Sequence, residues 1–334
     1  MNIVLDAMGG DNAPEEIVKG AVEACELDNS FNLTLVGKKD LIEKELKKYS
    51  NYEKDRIQIK NATEVITMND SPAKALRRKK DSSLAIGSNL IKENKGDAFI
   101  SAGNTGAVMA AGLFNIGRLS GIKRPSISTV FPAKGGKTLL MDAGANTDSK
   151  PENLHQFAVM GQIYSKKILN VSNPKIGLLS IGEEKKKGNK LVKETYQLLE
   201  DDKRLNFIGN VEGRDIFTNN CDIVICDGFV GNVVLKTTEG VASFVFDILK
   251  ETLTKDLRAK LGAGILKPYL KEMKDRLDYK QYGGAPLLGI NGIVIISHGS
   301  SNSTAIVNAI RVAKNAVNNN IVGLIEDEIN RDGE

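Results

Sequence analysis

Short apolar runs recur along the chain, separated by polar stretches whose apolar positions follow helical spacing. The runs predict strands at residues 2–6, 32–36, 56–60, 97–101, 126–131, 138–142, 175–181, 205–208, 222–226 and 292–297. Two of them, Ile223-Val224-Ile225-Cys226 and Ile293-Val294-Ile295-Ile296, are apolar throughout, the pattern of strands covered by helices on both faces. Strand and helix alternate, which predicts an α/β fold with a three-layer, doubly wound, mostly parallel sheet. There is no repeat of fixed period, no low-complexity tract and no linker rich in Pro, Gly or Ser. Residues 1–334 therefore read as one domain in two halves sharing one sheet.

One stretch has a different pattern. From Gly240 to Leu261 the positions Val241, Phe244, Val245, Ile248, Leu249, Leu253, Leu257 and Leu261 form a helical stripe. "GAGILKPYLKEM" (262–273) then breaks and restarts the helix, which predicts a protruding helical hairpin over 240–280. The break puts Ile265, Leu266, Tyr269 and Leu270 near a tip flanked by Lys260, Lys267 and Lys271, the composition of an interfacial membrane anchor. A helix pair packed at a homodimer interface accounts for the same stripe.

Composition narrows the partners. With 41% hydrophobic and 26% charged residues the chain reads as a globular, soluble protein, and its 46 basic against 42 acidic residues leave a mild net charge of +4. An aromatic content of 5% argues against a stacking surface for nucleic acid, so small acidic ligands or an acidic protein remain. The three cysteines, Cys25, Cys221 and Cys226, read as reduced structural thiols of a cytoplasmic protein. The first residues lack the charge and apolar pattern of a leader, and no apolar run approaches the ~20 residues that span a bilayer. Neither export nor a transmembrane anchor is expected.

The segments that follow the strands carry the chemistry. "DAMGGDNAP" (6–14), "SAGNTGA" (101–107), "DAGAN" (142–146), "SIGEEKKKGN" (180–189), "GNVEGRD" (209–215), "DGFVGN" (227–232) and "SHGSS" (297–301) are all Gly-rich, and most hold Asn or Asp. Tight strand-to-helix turns explain the glycines but not the excess of polar groups. In an open parallel sheet the carboxyl ends of the strands share an edge, where ligands bind, so these loops are expected to converge on one crevice.

Subtraction limits what that crevice does. No GxGxxG occurs, and "GGKT" (135–138) is no P-loop, because Phe131 stands where its first glycine belongs. With His155 and His298 the only histidines, and no HExxH, a histidine-rich zinc site is excluded. No GxSxG elbow supplies an acyl-serine nucleophile. Amide, backbone and lysine donors remain, suited to phosphate or another oxyanion.

"DAMGGDNAP", "SAGNTGA", "IGEEKKKGN", "CDGFVGNVVLK", "YGGAPLLG" and "SHGSSN", in this order and nearly end to end, resemble the bacterial phosphate acyltransferase family of phospholipid synthesis, PlsX. Ser180 stands where the family pattern has Asn, and Val230 where it has Thr. The resemblance implies the fold of phosphotransacetylases and of isocitrate and isopropylmalate dehydrogenases. It implies transfer of a fatty acyl group from acyl carrier protein to inorganic phosphate, without metal or other cofactor. The product, an acyl phosphate, would pass to a membrane glycerol-phosphate acyltransferase, so a cytoplasmic, peripherally membrane-associated homodimer is expected. A coenzyme A-dependent phosphotransacetylase, a metal-dependent dehydrogenase of related fold and a noncatalytic carrier or membrane adaptor are the alternatives.

In this reaction phosphate is the nucleophile and a thiolate leaves, so the protein must position the reactants, stabilise an oxyanion and exclude water. Lys187, Asn232 and His298 are the catalytic candidates: the first for phosphate or oxyanion, the second as a neutral donor, the third for phosphate or for protonating the thiolate. Asp6, Gly9, Gly10, Asp11, Asn104, Asn189 and Asp227 are the candidates for binding phosphate or substrate, with Gly103 and Gly106 letting the backbone approach. Each has a plainer reading: a solvated lysine run at 185–187, capping for the Asn and Asp residues, a satisfied loop histidine at 298 and packing for His155. "RRKK" (77–80) is the candidate dock for the acidic carrier, and the small-residue stretch "TGAVMAAGLF" (105–114) either packs closely or lines an acyl groove.

Overall fold

The structure, a computed structural model, describes residues 1–50, 52–277 and 283–331. Its strands are β1 (Asn2–Asp6), β2 (Asn32–Gly37), β3 (Ile57–Asn61), β4 (Ala98–Ser101), β5 (Ser126–Ala133), β6 (Gly136–Met141), β7 (Ile176–Leu179), β8 (Phe207–Val211), β9 (Ile223–Ile225), β10 (Ala285–Leu288) and β11 (Ile293–Ile296). Its α-helices are α1 (Glu15–Leu27), α2 (Lys39–Leu46), α3 (Pro72–Arg78), α4 (Ser83–Lys92), α5 (Thr105–Ala111), α6 (Pro151–Lys167), α7 (Lys190–Asp201), α8 (Gly228–Thr254), α9 (Leu257–Leu277), α10 (Ser303–Asn318) and α11 (Ile321–Asn330).

The apolar strands are sorted by the period-2 alternation of their side chains. Ile3 and Leu5 of β1, with Ala98 and Ile100 of β4, pack under α1 and α10, while Val4 and Phe99 face the other layer with α4 and α5. In the second half, Leu139 and Met141 of β6 and Ile223 and Ile225 of β9 pack against α6 and α11. Leu140 and Val224 face the layer that already holds Val4 and Phe99, so one apolar layer runs under both halves. The result is a three-layer α/β architecture around an 11-stranded sheet of order β3-β2-β1-β4-β11-β10-β5-β6-β9-β7-β8.

Strand direction departs from the simplest expectation. β11 is antiparallel to β10, β10 to β5 and β5 to β6, so three reversals separate two parallel blocks, β3-β2-β1-β4-β11 and β6-β9-β7-β8. The two blocks therefore run in opposite directions. Loops that follow β1, β4 and β11 leave from one end of the sheet and loops that follow β6, β7 and β9 from the other. They do not share one edge.

Two further differences have local causes. β10 is absent from the predicted strands because "APLL" is short and holds Pro286, which donates nothing to the ladder but whose carbonyl accepts from Ser128 Oγ at 3.2 Å. The helix break comes not at Gly262–Gly264 but at Lys255-Asp256, where the Asp256 carboxylate accepts from Ala259 N at 2.8 Å and caps the new helix. α9 then runs through Pro268 without interruption, carried by the strong helix formers around it. Ile265, Leu266, Tyr269 and Leu270 consequently lie along the middle of α9, not at the turn between α8 and α9. The last residues of the expected 240–280 hairpin, and Tyr282 of "YGGAPLLG", lie outside the described residues.

Candidate active site

At the end of the first block, three loops are tied to one another. Asp6, buried at the carboxyl end of β1, accepts from Ser101 Oγ at 2.7 Å and from Met8 N at 3.1 Å, and Ser101 Oγ accepts from Gly103 N at 3.1 Å. Burial pushes the Asp6 carboxyl up, against the pull of these hydrogen bonds. Gly9 is needed for space: a β-carbon there would stand 2.7 Å from the Asp6 carboxylate and 2.8 Å from Gly103 N. Gly10 has a φ of +97° and would meet the Gly299 carbonyl at 2.9 Å, the same oxygen that accepts from Asp11 N at 2.8 Å. "DAMGGDNAP", "SAGNTGA" and "SHGSS" thus form one cluster. Asp6 is turned to Ser101 and Met8 within it.

Asn104 is also committed. Its Oδ1 caps α5 by accepting from Ala107 N at 3.1 Å, and its Nδ2 donates to the carbonyls of Met68 at 3.0 Å and Asp70 at 3.2 Å. Beyond it, "TGAVMAAGLF" enters the core through Ala107, Val108, Ala110 and Ala111. The stretch serves close packing.

A second cluster forms at the end of the other block. Asp142, fully buried with a φ of +25°, accepts from Ala145 N at 2.8 Å and from the backbone N and Nδ2 of Asn146, both at 2.9 Å. Burial raises its carboxyl as well, and a non-glycine residue at this φ is held by the loop it organises. The Asn146 carbonyl accepts from Gly228 N at 2.8 Å, which fastens the first turn of α8 to the "DAGAN" loop. Asp227 caps that turn, accepting from Phe229 N at 2.9 Å and Val230 N at 3.0 Å. Asn232, two residues beyond, is exposed and lies beside Gly144.

The two clusters meet over the middle of the sheet. A cavity of about 140 Å³ lies against β5 and β10, with Thr105, Ser297 and His298 from the first cluster and Asn232, Lys236 and Glu239 from α8. Lys236 and Glu239 form an ion pair at 2.8 Å. Ser297, 3% exposed, has a buried hydroxyl without a hydrogen-bond partner among the described residues. His298 Nδ1 accepts from Ser300 N at 3.2 Å, which places the proton of the neutral ring on Nε2. The ammonium is balanced by its carboxylate partner, and the hydroxyl, amide and imidazole groups beside the pair are neutral donors that suit an oxyanion.

Of the three catalytic candidates, Asn232 and His298 share this cleft. Lys187 stands apart on the exposed 180–189 loop, its backbone N donating to the Glu184 carbonyl at 2.9 Å. Asn189 on the same loop caps α7, accepting from Val192 N at 2.9 Å. His155 lies elsewhere, bonded to Asp202 at 2.9 Å. Thr105, Asp142, Lys236, Glu239 and Ser297 join these sites without being marked as site residues by the sequence pattern. Asp142 and Ser297 open motifs already singled out, but their role depends on burial, which a loop motif does not reveal.

The chain matches the family described as "Fatty acid synthesis protein" over residues 1–323. It is 63% identical over 335 residues to the phosphate acyltransferase of Halothermothrix orenii, covering 100% of both chains. The chain belongs to the phosphate acyltransferase family. It is therefore an acyltransferase. Identity to the Bacillus subtilis phosphate acyltransferase is 47% over 330 residues, 98% of each chain. The fold is shared with a phosphotransacetylase from Streptococcus pyogenes (TM-score 0.64, 16% identity, covering 95% of this chain and 94% of that one). It is shared too with a branched-chain phosphotransacylase from Enterococcus faecalis V583 (TM-score 0.55, 15% identity, covering 95% and 100%).

Proposed function

We propose that the enzyme transfers a fatty acyl group from acyl carrier protein to inorganic phosphate and releases acyl phosphate for phospholipid synthesis. The observation that carries this reading is the central cleft, where Asn232, His298 and the unpartnered Ser297 hydroxyl present neutral donors over a cavity of about 140 Å³. Phosphate sits among these donors and attacks the thioester carbonyl. Asn232 donates to the oxyanion of the tetrahedral intermediate, a contact of the kind worth roughly 3 kcal/mol. The C–S bond then breaks, and the thiolate takes the proton carried by the attacking hydrogen phosphate, while His298 Nε2–H binds phosphate as a hydrogen-bond donor. Lys187 adds positive charge from the 180–189 loop when substrate is bound. Asp6, Gly9, Gly10, Asp11, Asn104, Asn189 and Asp227 hold the loops in the shape that binds phosphate and donor.

The α8–α9 pair serves the enzyme's surroundings. No helix among the described residues is long and apolar enough to cross a membrane. Yet Phe244, Leu257, Leu261, Ile265 and Tyr269 are all more than 60% exposed. This surface docks a second copy of the chain along α8 and a membrane along α9, consistent with a cytoplasmic homodimer that is peripherally membrane-associated. Membrane contact suits the product: at about 0.8 kcal/mol per buried methylene, a long-chain acyl phosphate leaves for water slowly. There it meets the membrane glycerol-phosphate acyltransferase.

The deciding assay mixes purified protein with inorganic phosphate and either palmitoyl-acyl carrier protein or palmitoyl-coenzyme A, and traps acyl phosphate as hydroxamate. Rapid product from the carrier-protein donor is expected. Product from coenzyme A alone would favour the phosphotransacetylase, and no product from either donor would leave an adaptor.

A further inference from the structure

A second, larger cavity of about 410 Å³ opens at the carboxyl ends of β7 and β9, between the first turns of α7 and α8. Its walls are Leu154, Leu179, Leu191, Val192 and Val230, and Ile181, 81% exposed, stands at its rim. Two helix N-termini contribute to it, which would ordinarily recommend an anion. Both are already capped, by Asn189 on Val192 N and by Asp227 on Phe229 N and Val230 N. The Asp227 carboxylate also repels an anion at this wall. At α8 the N–H groups of Gly228, Phe229 and Val230 all have partners, at α7 that of Val192 has one, and the walls are largely apolar, so the chemistry that suits the cavity best is that of an alkyl chain.

We infer that this cavity holds the fatty acyl chain of the thioester donor. The inference rests on the acyltransferase reading of the central cleft. Val230 lines the outer cavity and Asn232 the cleft. Two residues apart on a helix, at ~100° each, their side chains leave on nearly opposite sides, so the first turn of α8 is the wall between the two spaces. The chain passes around the amino end of α8, beside Phe229, which is 63% exposed, with the reacting carbonyl toward Asn232 and the tail toward Leu191. Ser180, whose buried hydroxyl has no hydrogen-bond partner among the described residues, lies on the same wall.

Two experiments test the assignment. Val230→Phe narrows the cavity, and kcat/KM for palmitoyl relative to hexanoyl carrier-protein thioester should fall at least about tenfold, the worth of roughly two buried methylenes. An equal fall for both donors, or none, overturns the inference. The second needs no turnover. The chain contains no tryptophan, so Ile181→Trp is a single reporter at the exposed rim, and a brominated stearate should quench it saturably in the full-length protein. Absence of quenching in the folded variant overturns the inference. Quenching by a protein that forms no acyl phosphate would instead refute the cleft reading and leave the chain site standing.

Discussion

Gly231 lies so close to Asp142 that a β-carbon on it would stand 2.0 Å from the Asp142 carbonyl oxygen. This contact sets how far the first turn of α8 can settle into the "DAGAN" loop, and with it the position of Asn232. Gly231→Ala must displace one or the other. It should destabilise the fold by about 1–3 kcal/mol and lower turnover at least about tenfold. Gly240→Ala is the control: nothing lies within 4 Å of a β-carbon there, so the melting temperature should rise slightly. A Gly231→Ala enzyme with wild-type rate and melting temperature contradicts the geometry.

Asn232→Ala removes an amide from the cleft and leaves the cap of α8 on Asp227 untouched. Turnover should drop at least about tenfold, or ~1.4 kcal/mol, at unchanged melting temperature. Lys187→Ala should do the same with a larger rise in KM for phosphate, since the ammonium acts by charge. Wild-type rates at limiting phosphate in both variants would remove these residues from the mechanism.

Asp202 joins three elements, bonding His155 of α6 and Arg204, which itself reaches Glu328 of α11. The Arg204 guanidinium, helped by its backbone N–H and by His155, holds the Asp202 carboxyl at about 2 despite burial. An acid held below its ordinary value stabilises the fold fully above that ordinary value, near 3.8, and loses this contribution as pH falls toward 2. Asp202→Asn should therefore cost about 2 kcal/mol at neutral pH, with the gap to wild type closing in acid. Urea titrations across this range check it. A gap that widens on acidification has the wrong sign.

Of the "RRKK" run, Lys79 is tied to Asp70 at 2.6 Å, while Arg77 and Arg78 are exposed. An acidic carrier docking there should bind more weakly as salt rises. Arg77→Glu with Arg78→Glu should raise the carrier KM about tenfold without changing the rate at saturating carrier. An unchanged KM moves the dock elsewhere.

Ile265 and Leu266, 76% and 46% exposed in mid-α9, are the substitutions that test membrane contact. Ile265→Asp with Leu266→Asp should abolish flotation with anionic liposomes while soluble carrier substrates are still turned over. Flotation equal to wild type in the folded double variant excludes α9 as the contact.

The strands were legible because a buried parallel strand must be apolar on both faces, and β1, β4, β6, β9 and β11 are. Strand direction was not, because nothing within one strand says which way its neighbour runs. It follows from the reversals around β10, whose Pro286 hides it from pattern reading. Asn232 and His298 were legible as candidates because they belong to Gly-rich motifs that follow strands, Asn232 at the start of α8 and His298 in the loop after β11. Ser297 and Asp142 were not, because what marks them is burial inside a neighbour's loop, fixed only when distant segments pack. The α8–α9 turn was misplaced because a capping Asp outweighs glycines and a proline that a continuing helix can carry.

The placement of β11 also bears on how the chain is made. It lies between β4 and β10, so the sheet that begins at residue 2 has a gap beside β4 until residues near 293 have been synthesised. Through most of translation the β4 edge presents unpaired backbone, the template on which other chains aggregate. The nascent sheet thus keeps an open edge beside β4 until β11 closes it. Messages truncated before β11 should yield insoluble protein, however complete the catalytic loops they encode.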